Sequence, residues 1–226
     1  MKSVPPFRLL FIGSLALSGE DRFLPTLEAA VRGGADAFLL REKALEGRAL
    51  WKIATAARAI TRSHGAKLIV SDRFDVALAA GADGVHLPES GFDPRDIRDR
   101  VGGRLLIGRS VHDAGGARTA EEAGADYLML GPLFATPGKK PLEPEAAGNI
   151  VRERSIPVAA VGGIEPERIP ALAALGFRSF AVIRAIAGSA GRSDAAPLPS
   201  SLTAAESAAR ALAKEIARAV REEDTP

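Results

Sequence analysis

Charged and hydroxylated side chains recur just after short apolar runs in this chain. Arg41 and Lys43 follow Leu39-Leu40, and strand alternation puts Leu39, Arg41 and Lys43 on one face. Two cations on one face there are costly unless they meet an anion or water. They are therefore candidates for anion binding; the alternative is a solvated strand end with Arg41 paired to an acid elsewhere. Asp72 follows another run as either a metal ligand or the cap of a helix beginning near Arg73. His86, Ser110 and His112 end two further runs. Either histidine could be a general acid or base, or a hydrogen-bonded structural residue. Thr136, Gly138, Lys139 and Lys140 combine a permissive backbone with hydroxyl and ammonium donors, which suits an anion. Gly162-Gly163 would let backbone amides approach a ligand closely. Arg184 could add a charge contact to a phosphate or point outward. His64, before Gly65, reads as an exposed helix-end residue interacting with the helix dipole.

The elements that must position these residues announce themselves by repetition. Gly-Ala-Asp before an apolar run occurs at Gly34, Gly81 and Gly124, with a degenerate copy at Gly176-Phe177-Arg178. The spacing is roughly 43 to 52 residues, about twice one strand-plus-helix unit. Each Gly sits where a helix should end, because it takes the left-handed conformation cheaply. The apolar runs predict eight strands: 9–12, 37–40, 67–70, 85–87, 105–107, 127–130, 157–161 and 180–183. Helical patterns separate them at 24–32, 45–63, 74–80, 94–100, 114–123, 144–152 and 166–175, and a last helix covers 204–221. This alternation predicts a single-domain α/β chain over 1–226, a (β/α)₈ TIM barrel. A doubly wound open sheet fits less well, since Gly13-Ser14-Leu15 lacks the G-x-G-x-x-G turn. Residues 187–201 read as a loop before the terminal helix and 222–226 as a frayed tail. In such a barrel the candidate residues share one end, where the strands stop and chemistry is done. The loops after strands seven and eight, with Gly162, Gly163 and Arg184, are where many barrels bind phosphate.

Composition narrows the function classes. Of 226 residues, 46% are hydrophobic and 26% charged, which is globular composition. Lys plus Arg number 30 against 28 for Asp plus Glu, with no basic cluster of the kind a nucleic-acid binder shows. Cysteine is absent, which excludes disulfides, thiolate metal sites and thiol nucleophiles, and three histidines leave little for a histidine-rich metal site. No apolar run reaches the length of a membrane span. Leu9 to Leu17, preceded by Lys2 and Arg8, could imitate a signal peptide. A buried first strand is the preferred reading, which makes the expected location cytoplasmic.

Arg41-Glu42-Lys43, Asp83-Gly84-Val85-His86-Leu87, Gly108-Arg109-Ser110-Val111-His112, Asp126-Tyr127 through Gly131-Pro132-Leu133-Phe134, Lys139 and Val161-Gly162-Gly163-Ile164 together resemble the thiamine phosphate synthase / TenI family, from about Leu9 to Ile186. The resemblance implies a (β/α)₈ barrel serving thiamine biosynthesis, commonly a homodimer or other homo-oligomer. The synthase joins an aminopyrimidine methyl diphosphate to a thiazole phosphate with Mg²⁺. Arg41, Lys43 and Lys139 match its diphosphate-binding cations, Asp72 one Mg²⁺ ligand and Ser110 the serine near the pyrimidine and diphosphate. Thr136 and Gly163 match groups that hold the thiazole phosphate. The chain departs from that pattern at several positions. Leu39 stands for Gln, Ser71 for Asn, Pro88-Glu89 for Gly-Gln, Gly91 for the second metal Asp, Gly138 for the second Thr of T-x-T-K, and Arg184 for Ser. Leu87-Pro88, Ser90-Gly91-Phe92 and Lys139-Lys140 are closer to TenI, which moves a proton on a thiazole carboxylate phosphate without a metal. The TenI histidine falls on Pro132, so His112, with His86 or Glu89 assisting, must carry the proton transfer. The expectation is therefore a TenI-like isomerase with His112, Ser110 and His86 as catalytic candidates. Its partners are a phosphorylated thiazole or thiamine phosphate, with no nucleic acid or membrane. The synthase, a transferase for which alone Mg²⁺ would be the cofactor, is the alternative. A non-catalytic binder of the same phosphates is a third reading.

Overall fold

The computed structural model describes residues 4–136, 138, 140–188 and 202–224. Eight parallel strands close in chain order: β1 Leu9–Gly13, β2 Ala37–Leu40, β3 Lys67–Ser71, β4 Gly84–Leu87, β5 Leu106–Val111, β6 Tyr127–Leu130, β7 Val158–Val161 and β8 Ser179–Val182. β8 pairs back onto β1, Leu9 opposite Phe180. Helices alternate with the strands, so the barrel expected from the sequence is the fold observed. The strands are buried on both faces, which is why each reads as a continuous apolar run rather than an alternating one.

Two apolar layers follow from that burial. Phe38, Leu40, Leu68, Val70, Val85 and Ile107 belong to the larger core, which includes the helices. Leu10, Ile12, Ala37, Leu39, Ile69, Tyr127, Met129, Ala159 and Ala181 form the second cluster and fill the barrel. Gly108 makes room inside: a Cβ there would stand 2.1 Å from the Tyr127 ring. Phe7 meets the same ring edge-on at 5.1 Å and helps fill the barrel around it.

The Gly-Ala-Asp repeat has a structural meaning. Gly34, Gly81, Gly124 and Gly176 all take positive φ, from +64° to +111°. The aspartate that follows accepts amides at the start of the preceding strand: Asp36 from Arg8 and Leu9, Asp83 from Leu68, Asp126 from Ile107. Arg58 and Arg98 clamp the last two carboxylates. In the degenerate copy Ser179 donates to the Phe7 carbonyl instead.

Element ends differ from the sequence reading where polar residues extend an element. β5 runs to Val111 rather than stopping at Ile107, because Arg109 and Ser110 pair with Leu128 and Met129 of β6. The second helix, Glu20–Arg32, starts before Leu24 with Glu20 and Asp21 in its first turn, where acids meet the positive end of the helix dipole. The terminal helix, Leu202–Asp224, continues past Arg221 instead of fraying at 222, with Arg218 bound to both Glu215 and Glu222. Of the expected loop 187–201, Ala187 ends a four-residue helix from Arg184 and Gly188 follows. Residues 189–201 lie outside the described part, as do 225–226 of the expected tail. No helix among the described residues is long and apolar enough to cross a membrane.

Candidate functional site

Six candidate residues, Arg41, Lys43, Asp72, His86, Ser110 and His112, follow one another around the C-terminal rim from β2 to β5. Arg41 continues β2, its amide bound to the Gly13 carbonyl at 3.0 Å, and both Arg41 and Lys43 are exposed. Neither has an ion-pair partner among the described residues, so within them the expected alternative of Arg41 paired to an acid is not seen. Glu42, between them, accepts the Leu15 amide and ties the loop after β1 to the end of β2.

Asp72 closes β3 at φ +65°, a left-handed conformation that aspartate tolerates better than most residues. It does not cap the following helix: Arg73 holds the cap position and no side chain bonds there. A Cβ on Gly91 would stand 3.1 Å from Asp72 Oδ1. Position 91 thus faces the Asp72 carboxylate, where a second acid would complete a pair, and glycine supplies none. No group of three His, Asp or Glu side chains suited to a metal exists among the described residues. Mg²⁺ keeps several waters and is held through one or two carboxylates together with substrate phosphates. Asp72 by itself is therefore not a resident Mg²⁺ site, and would hold the ion only alongside a bound diphosphate.

His86 and Ser110 meet on the inner wall. His86 Nε2 lies 2.8 Å from Ser110 Oγ, and Nδ1 lies 3.1 Å from the Tyr127 hydroxyl. His86 and Tyr127 are buried and their rings stack at 5.6 Å. Burial, followed by the charges of Arg109 and Arg41, pushes the His86 imidazole down to about 3. An imidazole of that kind stays neutral at neutral pH. His112 is the more open of the two, its side chain 37% exposed, with Nδ1 2.9 Å from Glu89 Oε2. That approach is close but not aligned as a hydrogen bond. Arg109 braces the 89–92 loop through the Glu89 and Phe92 carbonyls.

The rest of the rim is framed by backbone contacts between loops. Phe134 donates its amide to the Gly162 carbonyl at 3.1 Å, and Leu133 to Val161 at 3.0 Å, so the loops after β6 and β7 lie against each other. Gly162 and Gly163 sit at φ +96° and +67°. A Cβ on Gly163 would come within 2.8 Å of Phe134 Cβ. Arg168 bridges the same loops, bonded to the Gly163 carbonyl and stacked 4.4 Å over the Phe134 ring. Thr136 is half-buried on this rim; Lys139 lies outside the described residues. Arg184 is exposed, opens the short helix after β8, and its side chain has no partner among the described residues. We expect Gly163→Ala to weaken inorganic phosphate binding by about 10-fold, since the side chain forces both a disfavoured φ and a clash at the cradle. Calorimetric titration checks this, and unchanged affinity would remove Gly163 from the site.

Sequence reasoning quoted Tyr127 and Arg109 within motifs without giving either a role, and missed Arg168. Tyr127 looked like one more apolar strand residue; the signal that could have found it is Gly108, the residue opposite it in the β5–β6 register. Arg168 carried no signal, because its partner is a carbonyl.

Comparison with known proteins fits this arrangement. The TMP-TENI family, described as thiamine monophosphate synthase, matches residues 9–186. A thiamine-phosphate synthase from Methanoregula boonei is 41% identical over 76% of this chain and 82% of its own. One from Ruminiclostridium cellulolyticum is 36% identical over 82% of this chain and 90% of its own. The solved structure of a thiamine phosphate pyrophosphorylase from Pyrococcus furiosus superposes with a TM-score of 0.81, at 31% identity, covering 94% of this chain and 96% of that one.

Proposed function

For a chain that belongs to the thiamine monophosphate synthase family of thiamine biosynthesis, we propose that the barrel mouth binds a thiazole phosphate and isomerises it by proton transfer. The observation that carries this reading is His112 Nδ1 lying 2.9 Å from Glu89 Oε2 on a rim where glycine, not an acid, faces Asp72 at position 91. The phosphate end is held by Gly162, Gly163 and Thr136, with Arg41, Lys43, Lys139 and Arg184 adding positive charge. Ser110 points into the same mouth, toward an anionic oxygen of the ligand. His112 takes a proton from one position of that ring through Nε2 and returns it at another, while the Glu89 carboxylate beside Nδ1 favours the transient imidazolium. The step is an isomerisation, so no oxidant, reductant or metal enters its balance. His86, neutral and buried, is not the proton carrier. The reaction belongs to the cytoplasm, and the working unit is a homodimer or another homo-oligomer.

A second reading is condensation, favoured by the relatives that bear the synthase name. One experiment separates them. The protein is incubated with a thiazole carboxylate phosphate, and separately with an aminopyrimidine methyl diphosphate plus thiazole phosphate, each with Mg²⁺ or with EDTA. We expect isomerisation at the same rate in both media. Mg²⁺-dependent thiamine phosphate formation without isomerisation would overturn the proposal in favour of the synthase. Saturable binding with neither product would leave a carrier of the same phosphates and overturn the catalytic claim.

A further inference from the structure

Tyr127 is 1% exposed, and its hydroxyl has no partner other than His86 Nδ1 among the described residues. A buried phenol proton needs an acceptor. Nδ1 can accept it only if that nitrogen is bare, so the single proton of the neutral imidazole must sit on Nε2. Nε2–H then donates to Ser110 Oγ across 2.8 Å. The Ser110 hydroxyl has used a lone pair on this bond, and its own proton has no acceptor within the described protein. Strand alternation puts Ser110 on the inner face of β5, with Gly108, toward the mouth. In the opposite tautomer Ser110 would donate into His86, turn lone pairs toward the ligand and repel an anion.

We propose that Tyr127 and His86 are positioning residues that fix Ser110 as a hydrogen-bond donor toward an anionic oxygen of the ligand. The residue that decides the polarity of Ser110 therefore sits inside the barrel, out of reach of substrate. Gly108 is part of the device, since any side chain there would occupy the space of the phenol ring. The burial that keeps His86 neutral keeps the arrangement intact at working pH. The purpose assigned to Ser110 rests on the mouth being an anion site; the tautomer does not.

The test combines a spectroscopic and a binding measurement on the full chain. In ¹⁵N-histidine-labelled protein, His86 should show a directly bonded proton on Nε2 and none on Nδ1, unchanged between about pH 5 and pH 8. A proton on Nδ1 would overturn the proposal. Inorganic phosphate is then titrated against variants whose circular dichroism matches the native protein. Tyr127→Phe, Ser110→Ala and His86→Ala should each weaken phosphate by about 10-fold, and adding Tyr127→Phe to Ser110→Ala should cost nothing more. His86→Gln, whose amide N–H can replace Nε2–H, should recover most of the loss. Native affinity in Tyr127→Phe would overturn the positioning role. If the native protein binds no phosphate while Nε2 carries the proton, the anion-site reading fails and the tautomer assignment survives.

Discussion

His112→Ala lowers the rate of isomerisation by about 100-fold or more, the usual worth of a positioned general acid–base group. The substitution removes the more exposed of the two rim imidazoles, the one beside the Glu89 carboxylate. His86 cannot take over, because burial holds it neutral. The loss falls on kcat, while phosphate affinity stays within about 2-fold, because the proposed phosphate cradle lies in the loops after β6 and β7, away from His112. Glu89→Gln keeps the shape but removes the charge beside Nδ1, and a smaller loss of about 10-fold is expected. Exchange of the substrate's labile proton with deuterated solvent, read by NMR, follows the same step without product separation. An unimpaired His112→Ala would reject the role and move the proton to another group on the rim.

The second large effect is on stability, and it also comes from a histidine. His86 binds a proton near 6.5 in the unfolded chain but only near 3 in the fold. Between those values the unfolded state holds more protons, so stability rises with pH, is fully present above about 6.5 and is lost as the pH falls toward 3. At about 1.4 kcal/mol for each pH step between them, this group alone costs roughly 3 kcal/mol between about pH 7 and pH 4. Carboxylates contribute their own acid loss. The quantity to measure is thus the difference between the native protein and His86→Gln in urea unfolding across that range. Whatever the variant's stability at pH 7, its profile should be flatter by roughly that amount. Parallel profiles would mean that His86 binds its proton equally well in the fold and in the unfolded chain, and would undo the claim that burial keeps the tautomer fixed below about pH 6.

The sequence carried the frame of the molecule well and its polar interior poorly, for physical reasons. Eight buried strands are visible as apolar runs, and the helix-ending glycines mark them off at Gly34, Gly81 and Gly124. The rim was visible too, because cations and hydroxyls after an apolar run are conspicuous. The aspartates of the repeat were seen only as a pattern: that Asp83 serves the amide of Leu68 depends on which strands pair. Asp72 as a cap was a local guess, overruled by a left-handed turn that no local signal announces. His86 was a candidate acid–base group because its type allows it. What settles its behaviour is Tyr127, 41 residues away in sequence, and the absence of a side chain at Gly108. Contacts through the centre of a barrel join residues on separate strands, and periodicity along one strand says nothing about them. Lys139, expected on the phosphate, lies outside the described residues and rests on the sequence alone.

The central claim is that the open end of the barrel grips a small phosphate ester. Backbone ¹H–¹⁵N shifts recorded while a thiazole phosphate is added test it most directly. Saturable shifts should concentrate at Gly162, Gly163, Thr136 and Ser110 and follow a single binding curve. Shifts confined to the opposite end of the strands, or none at saturating ligand, would contradict it.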